Sequence, residues 1–288
     1  MSREKRAVAI RNAIIKLVKD GGGLSANEIR VIVALERIVA RLSVDPTLDA
    51  HLVYKGGFVL LKTLGSNRFT RDLDALGVDL DKAKIAELVP MALVRDLDDG
   101  FWFGEIRVED LDAQGEYGAL RFDCAYQIGD PPTKKEAIKK LSRIHFDVGF
   151  GDELTADLKR AAMPSLLPAE SKTSWRVYPP EFIFSEKLQT LIGRKSANSR
   201  SKDIHDIGIL FDKCDPKKML AAIEKTFARR KTELPISFLE FAGDLDTRLL
   251  AASWSSVKVA GEGQTFEEAW NLLKFHLAKI DNALAKRR

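Results

Sequence analysis

The hydrophobic period of the chain changes along its length, and this change constrains the fold more than any other feature. From about 51 to 150, apolar and polar residues alternate in short runs, the spacing of half-buried strands. These runs lie near 51–54, 72–79, 101–109, 119–127 and 143–150. After about 180 the apolar residues recur at helical spacing. The predicted helices lie near 180–194, 202–213, 216–229, 236–250 and 265–285.

Two further helices are predicted before the sheet. The segments 5–19 and 26–42 have apolar residues at helical spacing, and Ser25 with Glu28 forms a capping box before the second. Prolines cluster in 163–180, between the last predicted strand and the helical half. We therefore expect a helical layer, a mixed α/β domain and a helical domain, at 1–45, 46–170 and 171–288.

Composition excludes several classes of protein. The 288-residue chain is 45% hydrophobic and 31% charged, the balance of a folded soluble protein. Two cysteines are too few for a disulfide scaffold or a thiolate zinc site. No apolar run approaches the roughly 18 residues of a membrane span, and the first residues lack the apolar core of a secretory signal. We expect a cytoplasmic protein with no membrane partner.

The most informative motif is Asp72-Leu73-Asp74, in a predicted strand. Side chains alternate along a strand, so both carboxylates point to one face and Leu73 points to the other. Adjacent carboxylates repel each other and are not accepted unpaired in a core. Mg²⁺ relieves this repulsion, because it prefers carboxylate and phosphate oxygens. A polar strand end in solvent is the alternative for so short a motif.

Two other features favour a site for metal and phosphate. Gly56 and Gly57 lie between an apolar strand and a short helix, where glycines let the backbone approach a triphosphate. Asp147 lies on the polar face of the last predicted strand and would join the two earlier aspartates if the strands are neighbours. An ordinary turn and a solvent-facing aspartate are the alternatives.

This order of motifs resembles the polymerase-β-type nucleotidyltransferase fold. In that fold, three carboxylates hold two metal ions roughly 3.5–4 Å apart, which bind the attacking and leaving oxygens of an in-line displacement. The resemblance implies an α/β (α+β) fold class, with a nucleotidyltransferase sheet domain followed by a C-terminal helical bundle.

Charged residues interrupt the apolar faces of two predicted helices. Lys187 lies on the apolar stripe of the first, so it either extends past the core to solvent or points into a cleft that needs a cation. Asp203 and Asp206 share one face of the next helix. A simpler role for Asp203 is to stabilise the first helical turn after a cap at Ser201. We interpret His205 as a histidine of the helix surface.

The positive charge of the chain is concentrated in the helical half. The whole chain has a net charge of +4, whereas 186–231 contains twelve Lys and Arg against six Asp and Glu. Its densest basic run is 225–231, which ends in Arg229, Arg230 and Lys231. This asymmetry suits a phosphate backbone, although a charged run is also typical of a solvated surface.

Taken together, the motifs resemble the AbiEii family of bacterial nucleotidyltransferase toxins, which includes the mycobacterial MenT proteins. The family pattern is a Gly-Gly or Gly-Ser turn, a Ser/Thr-x-Asp-hydrophobic-Asp strand, a Lys-Leu helix and an Arg/Lys-Asp-x-x-Asp helix. The resemblance covers about 50–240. The matching positions here are Gly56-Gly57, Thr70 with Asp72 and Asp74, Lys187-Leu188, and Lys202-Asp203 with Asp206.

The resemblance implies the toxin of a type IV toxin–antitoxin pair, with NTP and Mg²⁺ as requirements and a cognate antitoxin protein as partner. In the MenT branch, nucleotides are added to the 3′ end of tRNA, which blocks aminoacylation. The implied metal ligands are Asp72, Asp74 and Asp147, and Asp147 would also help to activate the acceptor hydroxyl.

The remaining implied roles concern nucleotide and RNA. Backbone N–H groups of the two glycines would contact the triphosphate, and Lys187 would neutralise phosphate charge. Either Asp203 or Asp206 would orient Lys187 or the nucleotide. The residues expected to touch phosphate are Thr70, Arg68 and Arg71, and those expected to receive RNA are Arg229, Arg230 and Lys231.

Two rival functions remain. The same fold could place NMP or phosphate on a protein acceptor. A regulator that binds nucleic acid without catalysis would use the basic helices and would not need Asp72, Asp74 or Lys187.

Overall fold

The computed structural model describes residues 2–21, 23–111, 118–151, 158–167 and 173–287. The chain divides into two compact units. The first combines Met1–Thr63 with Phe69–Val177, and the second combines Leu64–Arg68 with Tyr178–Arg288. No helix of the described residues is long and apolar enough to cross a membrane.

The first unit contains a seven-stranded sheet and helices. Its strands are β1 (Leu52–Lys55), β2 (Asp72–Gly77), β3 (Phe101–Asp110), β4 (Ala119–Ile128), β5 (Arg143–Gly149), β6 (Lys159–Met163) and β7 (Thr173–Val177). Its helices are α1 (Arg3–Lys19), α2 (Ala26–Val44), α3 (Pro46–His51), α4 (Gly56–Thr63), α5 (Lys82–Leu93) and α6 (Lys135–Ile138).

The strands lie in the order β3-β4-β5-β2-β1-β7-β6. β2 is parallel to β5 and β1 is parallel to β7, whereas the other neighbours are antiparallel. Parallel neighbours need a long crossover connection, and this brings β5 beside β2 although many residues separate them. The two strands that carry the predicted carboxylates therefore meet in the middle of the sheet.

One face of the sheet is apolar. Phe146 of β5 lies in register between Leu73 of β2 and Phe122 of β4, and all three side chains are fully buried. The rings of Phe122 and Phe146 stack with their centroids 5.7 Å apart. Because side chains alternate along each strand, the residues between these form the opposite, polar face.

The N-terminal helices belong to the sheet unit and do not form the separate layer predicted at 1–45. Glu36 of α2 is fully buried and accepts a hydrogen bond of 2.6 Å from Lys62 of α4. Arg41 of α2 donates hydrogen bonds of 2.7 and 2.9 Å to Asp99. Buried charges need such partners, and here the partners come from other elements of the same unit.

Five strands, β1 to β5, confirm the sequence prediction. The pattern does not predict β6 and β7, because KRAAM contains no β-branched or aromatic residue and TSWRV is only five residues long. Both extend the sheet beside β1. The first unit therefore ends at Val177, later than the boundary predicted at 170. Part of the predicted linker, 168–172, lies outside the described residues.

The second unit is helical in the described residues. Its helices are α7 (Pro180–Arg194), α8 (Ser201–Phe211), α9 (Pro216–Arg229), α10 (Phe238–Asp244), α11 (Arg248–Ser253) and α12 (Phe266–Ala285). α7 packs against α8 and α9, and α12 packs against α8 and α10. The single helix predicted at 236–250 is two helices, because Asp246 accepts the N–H of Arg248 and starts a new helix there.

Candidate active site

A row of charged side chains crosses the polar face of the sheet. Asp74 of β2 is in register with Lys55 of β1 on one side and with Asp147 of β5 on the other. Asp147 is in turn in register with Arg121 of β4. Register partners point to the same face of a sheet. The topology therefore brings the predicted third carboxylate beside the second.

A second row contains Asp72. It is in register with His145 of β5, which is in register with Asp123 of β4. Asp123 accepts a hydrogen bond from Arg143, and its other carboxylate oxygen lies 3.3 Å from Nδ1 of His145. Asp72 is exposed, and its carboxylate accepts no hydrogen bond from the described part of the chain. It is accessible to a ligand from solvent.

Gly56 brings the backbone against Asp74. Its φ of +75° is a left-handed conformation that favours glycine. A Cβ at this position would overlap Oδ2 of Asp74 and lie 3.1 Å from its Cγ. Gly56 and Gly57 are also the first two residues of α4, and N–H groups in a first helical turn have no partner within the helix. The turn therefore fits closely over the carboxylate and presents backbone donors near it.

The residues before β2 differ in accessibility. Thr70 is 6% exposed, and its hydroxyl accepts the N–H of Asp72 at 3.3 Å, which shapes the start of the strand. Arg71 is exposed, with its guanidinium 5.8 Å from the centre of the Phe69 ring. Of the two, Arg71 is the one free to meet a ligand in solvent.

Asp147 is ion-paired within the sheet. Its two carboxylate oxygens accept hydrogen bonds from Nε and Nη2 of Arg121, at 2.9 and 2.7 Å. The bond to Asp147 is the largest cause of a raised pKa at Arg121, and the charges of Asp147 and Asp72 add to it. Asp147 as a metal ligand stays a prediction.

The donor set at β2 fits a hard cation. Asp72 and Asp74 offer carboxylate oxygens on one face, and these are the ligands that Mg²⁺ prefers. In the described ranges, no group of three or more His, Cys, Asp or Glu side chains is arranged to hold a metal. Two carboxylates suffice for Mg²⁺, which keeps several waters and takes its other ligands from substrate phosphates.

The second unit contains a buried charge cluster around Lys187 of α7. Its Nζ lies 2.8 Å from Oδ1 of Asp203 and 2.8 Å from Oδ2 of Asp206, both in α8. The Lys187 side chain is 11% exposed and Asp206 is fully buried. The alternative in which Lys187 extends past the core to solvent is therefore wrong.

Two arginines complete this cluster. Arg68 donates hydrogen bonds of 2.7 and 2.8 Å from Nε and Nη2 to the two oxygens of Asp206. Arg200 donates from Nε to Asp203 at 2.6 Å. Three cations thus surround two carboxylates. Arg68, which we expected to touch phosphate, is 5% exposed and bound by Asp206.

Burial and charge oppose each other in this cluster. Burial alone would lower the pKa of Lys187, but Asp203 and Asp206 reverse this and its pKa is raised. Burial alone would raise the pKa of both carboxylates, but the neighbouring cations lower them, that of Asp206 well below its usual range. All three groups are therefore charged at neutral pH.

Two expectations for α8 are wrong. Ser201 is the first residue of the helix, and its hydroxyl donates a hydrogen bond of 2.5 Å to the carbonyl of Leu250. Ser201 is therefore not the N-cap of α8. The His205 side chain is 9% exposed, with Nδ1 3.4 Å from Oδ1 of Asp206. His205 is therefore not a solvent-exposed residue of the helix.

The predicted RNA-binding residues lie at the C-terminal end of α9. Arg230 donates a hydrogen bond of 2.6 Å to Oε1 of Gln189 and lies 3.7 Å from Glu186. The positive charge of Arg230 is therefore partly balanced by Glu186 within the same unit. Arg229 is half-buried and Lys231 is exposed. Their role towards RNA stays a prediction.

Sequence reasoning missed two residues of the polar face, Arg121 and Lys55. Arg121 alternates with the buried Leu120 and Phe122 along β4, the same signal that identified Asp147. The strand pattern could therefore have placed Arg121 on the polar face. Its pairing with Asp147 depends on the order of the strands.

Comparisons with known proteins agree with these motifs. The model of the nucleotidyl transferase AbiEii toxin family, of type IV toxin–antitoxin systems, matches residues 37–276. Curated proteins give no match. JHP933 from Helicobacter pylori is 17% identical, with a TM-score of 0.57 over 92% of this chain and 96% of that chain. A second H. pylori structure, which bears the name nucleotidyltransferase, is 17% identical, with a TM-score of 0.58 over 92% and 99%.

At this identity the solved structures establish a shared fold. The family match is the stronger finding, because it spans most of the chain and includes both β2 and the Lys187 cluster. The chain therefore belongs to the AbiEii nucleotidyltransferase toxin family and is a nucleotidyltransferase.

Proposed function

We propose that this nucleotidyltransferase transfers NMP from an NTP to RNA, with the 3′ end of tRNA as the acceptor, and thereby blocks translation. The single observation that carries the catalytic part is the arrangement of Asp72 and Asp74 on one face of β2, with Gly56 closely packed on Asp74. In the reaction, the terminal hydroxyl oxygen attacks the α-phosphorus, the bond to the β-phosphate oxygen breaks, and pyrophosphate and a proton leave.

Asp72 and Asp74 would hold Mg²⁺. When bound there, Mg²⁺ supplies charge stabilisation for the phosphates and lowers the pKa of the attacking hydroxyl. The protein's own contribution is position: Asp74 is fixed by its place in the middle of the sheet, and Asp72 reaches solvent. Gly56 and Gly57 would bind triphosphate oxygens through N–H groups at the start of α4. Arg71, exposed beside Asp72, would add a cation for phosphate.

Lys187 would neutralise charge that develops on phosphate in the transition state. This role rests on its place in the family pattern. Its contacts with Asp203 and Asp206 support a positioning role for both carboxylates, since they hold Nζ from two sides at 2.8 Å. The basic residues Arg229, Arg230 and Lys231 would receive the acceptor, because RNA binding depends on neutralising phosphates. As in other type IV pairs, a cognate antitoxin protein would be the regulatory partner.

The test is incubation of the purified protein with each α-³²P-labelled NTP, Mg²⁺ and total tRNA, followed by a denaturing gel. We expect label in the tRNA band with wild type and none with Asp72→Ala. The matched control is Asp130→Ala, which removes another exposed carboxylate of the first unit and should keep full transfer. Circular dichroism must show that all three proteins are folded.

Three results would contradict the proposal. Full transfer by folded Asp72→Ala would remove the carboxylate site from catalysis. Label on protein alone would replace RNA with a protein acceptor while keeping the enzyme class. Label on neither, with equal RNA binding by wild type and Asp72→Ala without Mg²⁺, would favour a regulator without catalysis.

A further inference from the structure

The ion pair between Arg121 and Asp147 lies within the proposed metal site. Asp147 is the register neighbour of Asp74, and both of its oxygens accept hydrogen bonds from the guanidinium, at 2.9 and 2.7 Å. A carboxylate that accepts a bidentate arginine has its strongest acceptor positions filled. A metal ion would need those same oxygens.

Charge balance leads to the same conclusion. Asp72, Asp74 and Asp147 bring three negative charges to adjacent strands, a set that repels itself without cations. An arginine is always protonated in proteins, so Arg121 permanently neutralises the charge of Asp147. Arg121 thus removes Asp147 from the carboxylates that need a cation from solvent.

The electrostatic influence of Arg121 extends beyond its partner. Its charge interacts favourably with Asp72 as well as with Asp147, although Asp72 lies in the other row of the sheet. Its side chain is 39% exposed, and Nη1 has no hydrogen-bond partner among the described residues. The guanidinium can therefore serve the carboxylates and still offer donors to a ligand.

We propose that the site holds a single divalent cation, at Asp72 and Asp74, and that the guanidinium of Arg121 occupies the position of a second cation at Asp147. This inference rests on the proposed metal site and changes its stoichiometry. Asp147 then acts as a positioning residue that fixes Arg121, and Arg121 is the fixed cation of the nucleotide site. The ligand class for its remaining donors is the phosphate of the bound NTP.

The experiment counts Mn²⁺ ions bound to the full chain, by titration calorimetry and by electron paramagnetic resonance. Wild type should bind one ion per chain with the spectrum of an isolated ion. Arg121→Gln should bind two, because Asp147 is released as a ligand, and ions roughly 3.5–4 Å apart should show spin–spin coupling. Combining Arg121→Gln with Asp147→Asn should return the count to one.

A matched control lies in the same unit. Arg160 donates two hydrogen bonds of 3.0 and 2.9 Å to Asp49, and its side chain is 44% exposed, close to the exposure of Arg121. Arg160→Gln breaks an equivalent pair away from β2 and should leave the count at one. A second ion there as well would overturn the inference, because any freed surface aspartate would then bind Mn²⁺.

Other outcomes separate this inference from the proposed function. Two ions in wild type, with one lost in Asp147→Asn, would overturn the single-cation site and leave the metal-dependent transfer standing. A count of one in folded Arg121→Gln would also overturn it. No ion in wild type would overturn this inference together with the metal site, and the labelled transfer assay would then decide separately whether the chain is active.

Discussion

The two units contain the same types of charged residue in opposite environments. On the sheet, Asp72 is exposed and Asp74 is half-buried. In the helical unit, Asp203 and Asp206 are 1% and 0% exposed and contact three cations, Lys187, Arg68 and Arg200. The charges of the second group are balanced by the protein itself, whereas Asp72 on the sheet offers its carboxylate oxygens to solvent.

This difference separates binding from positioning. A buried ion pair costs several kcal/mol to desolvate and is fixed in place by its partners, so the helical cluster holds Lys187 in one orientation. An exposed carboxylate has little desolvation to lose and can exchange water for a metal or a phosphate-bound cation. We infer that the carboxylates of the sheet unit bind the metal ion. The helical cluster instead holds the Lys187 side chain in position.

The largest expected effect is on stability, from the helical cluster. Asp206→Asn removes the charge that Arg68 and Lys187 share and leaves cations buried without it. We expect the free energy of unfolding to fall by about 3–5 kcal/mol, measured by urea denaturation. The control Glu87→Gln breaks an exposed pair with Lys84 and should leave stability essentially unchanged. Equal stability of the two variants would mean that the cluster is not a balanced buried network.

The next effect is on transfer activity, from the sheet. Gly56→Ala places a methyl group where the Asp74 carboxylate lies, and a misplacement of this size costs about 100-fold in rate. The matched control is Gly65→Ala, since Gly65 has φ +76° against +75° for Gly56 and no atom within 4 Å of its added Cβ. Both variants carry the same backbone strain, but only Gly56→Ala meets the carboxylate. Equal transfer by both would remove the close packing on Asp74 from catalysis.

The free energy of unfolding should depend on acidic pH through the helical cluster. The lowered pKa of Asp206 adds stability that is fully present above its unfolded value of about 3.9 and is lost as pH falls through the folded value. The stability advantage of wild type over Asp206→Asn should thus be constant above about pH 5 and shrink below about pH 4, by about 1.4 kcal/mol per unit. An advantage that stays constant to pH 3 would contradict the lowered pKa.

At alkaline pH the sign is opposite for Lys187. Its raised pKa adds stability that is present below the unfolded value of about 10.4 and is lost as pH rises through the folded value. Unfolding of wild type and Lys187→Met at pH 7 to 11 measures this, and the difference should shrink only above about pH 10.

The smallest effect concerns the basic segment. Lys231→Gln should weaken tRNA binding uniformly and reduce the slope of log K against log salt by roughly 1, measured by filter binding at several salt concentrations. Lys139→Gln, an exposed lysine of the sheet unit, is the control and should leave the slope unchanged. An unchanged slope for Lys231→Gln would move the RNA surface elsewhere.

Much of the fold follows from local patterns. The five alternating strands and most of the helices were predictable because side-chain period is a local property of the sequence. β6 and β7 were not, because short strands gain their stability from pairing with neighbours rather than from their own pattern. The split between α10 and α11 depends on Asp246, whose carboxylate accepts the N–H of Arg248.

The charged residues show where sequence reasoning ends. Alternation alone placed Asp72 and Asp74 on one face, and the family motif identified Lys187, Asp203 and Asp206. Tertiary structure decided their partners. Arg121 reaches Asp147 only because β4 pairs with β5, and Arg68, which is far from Asp206 in sequence, forms an ion pair with it inside the second unit.

The sequence by itself therefore determined the periods of the elements, the carboxylate motif of β2 and the family of the chain, since each depends on residues close together or on a fixed order of motifs. Only the tertiary structure decided which charges are balanced and which face solvent. The reason is physical: the free energy of a charge depends on its burial and on its nearest partners, and both are set by strand order and helix packing rather than by neighbours in the sequence.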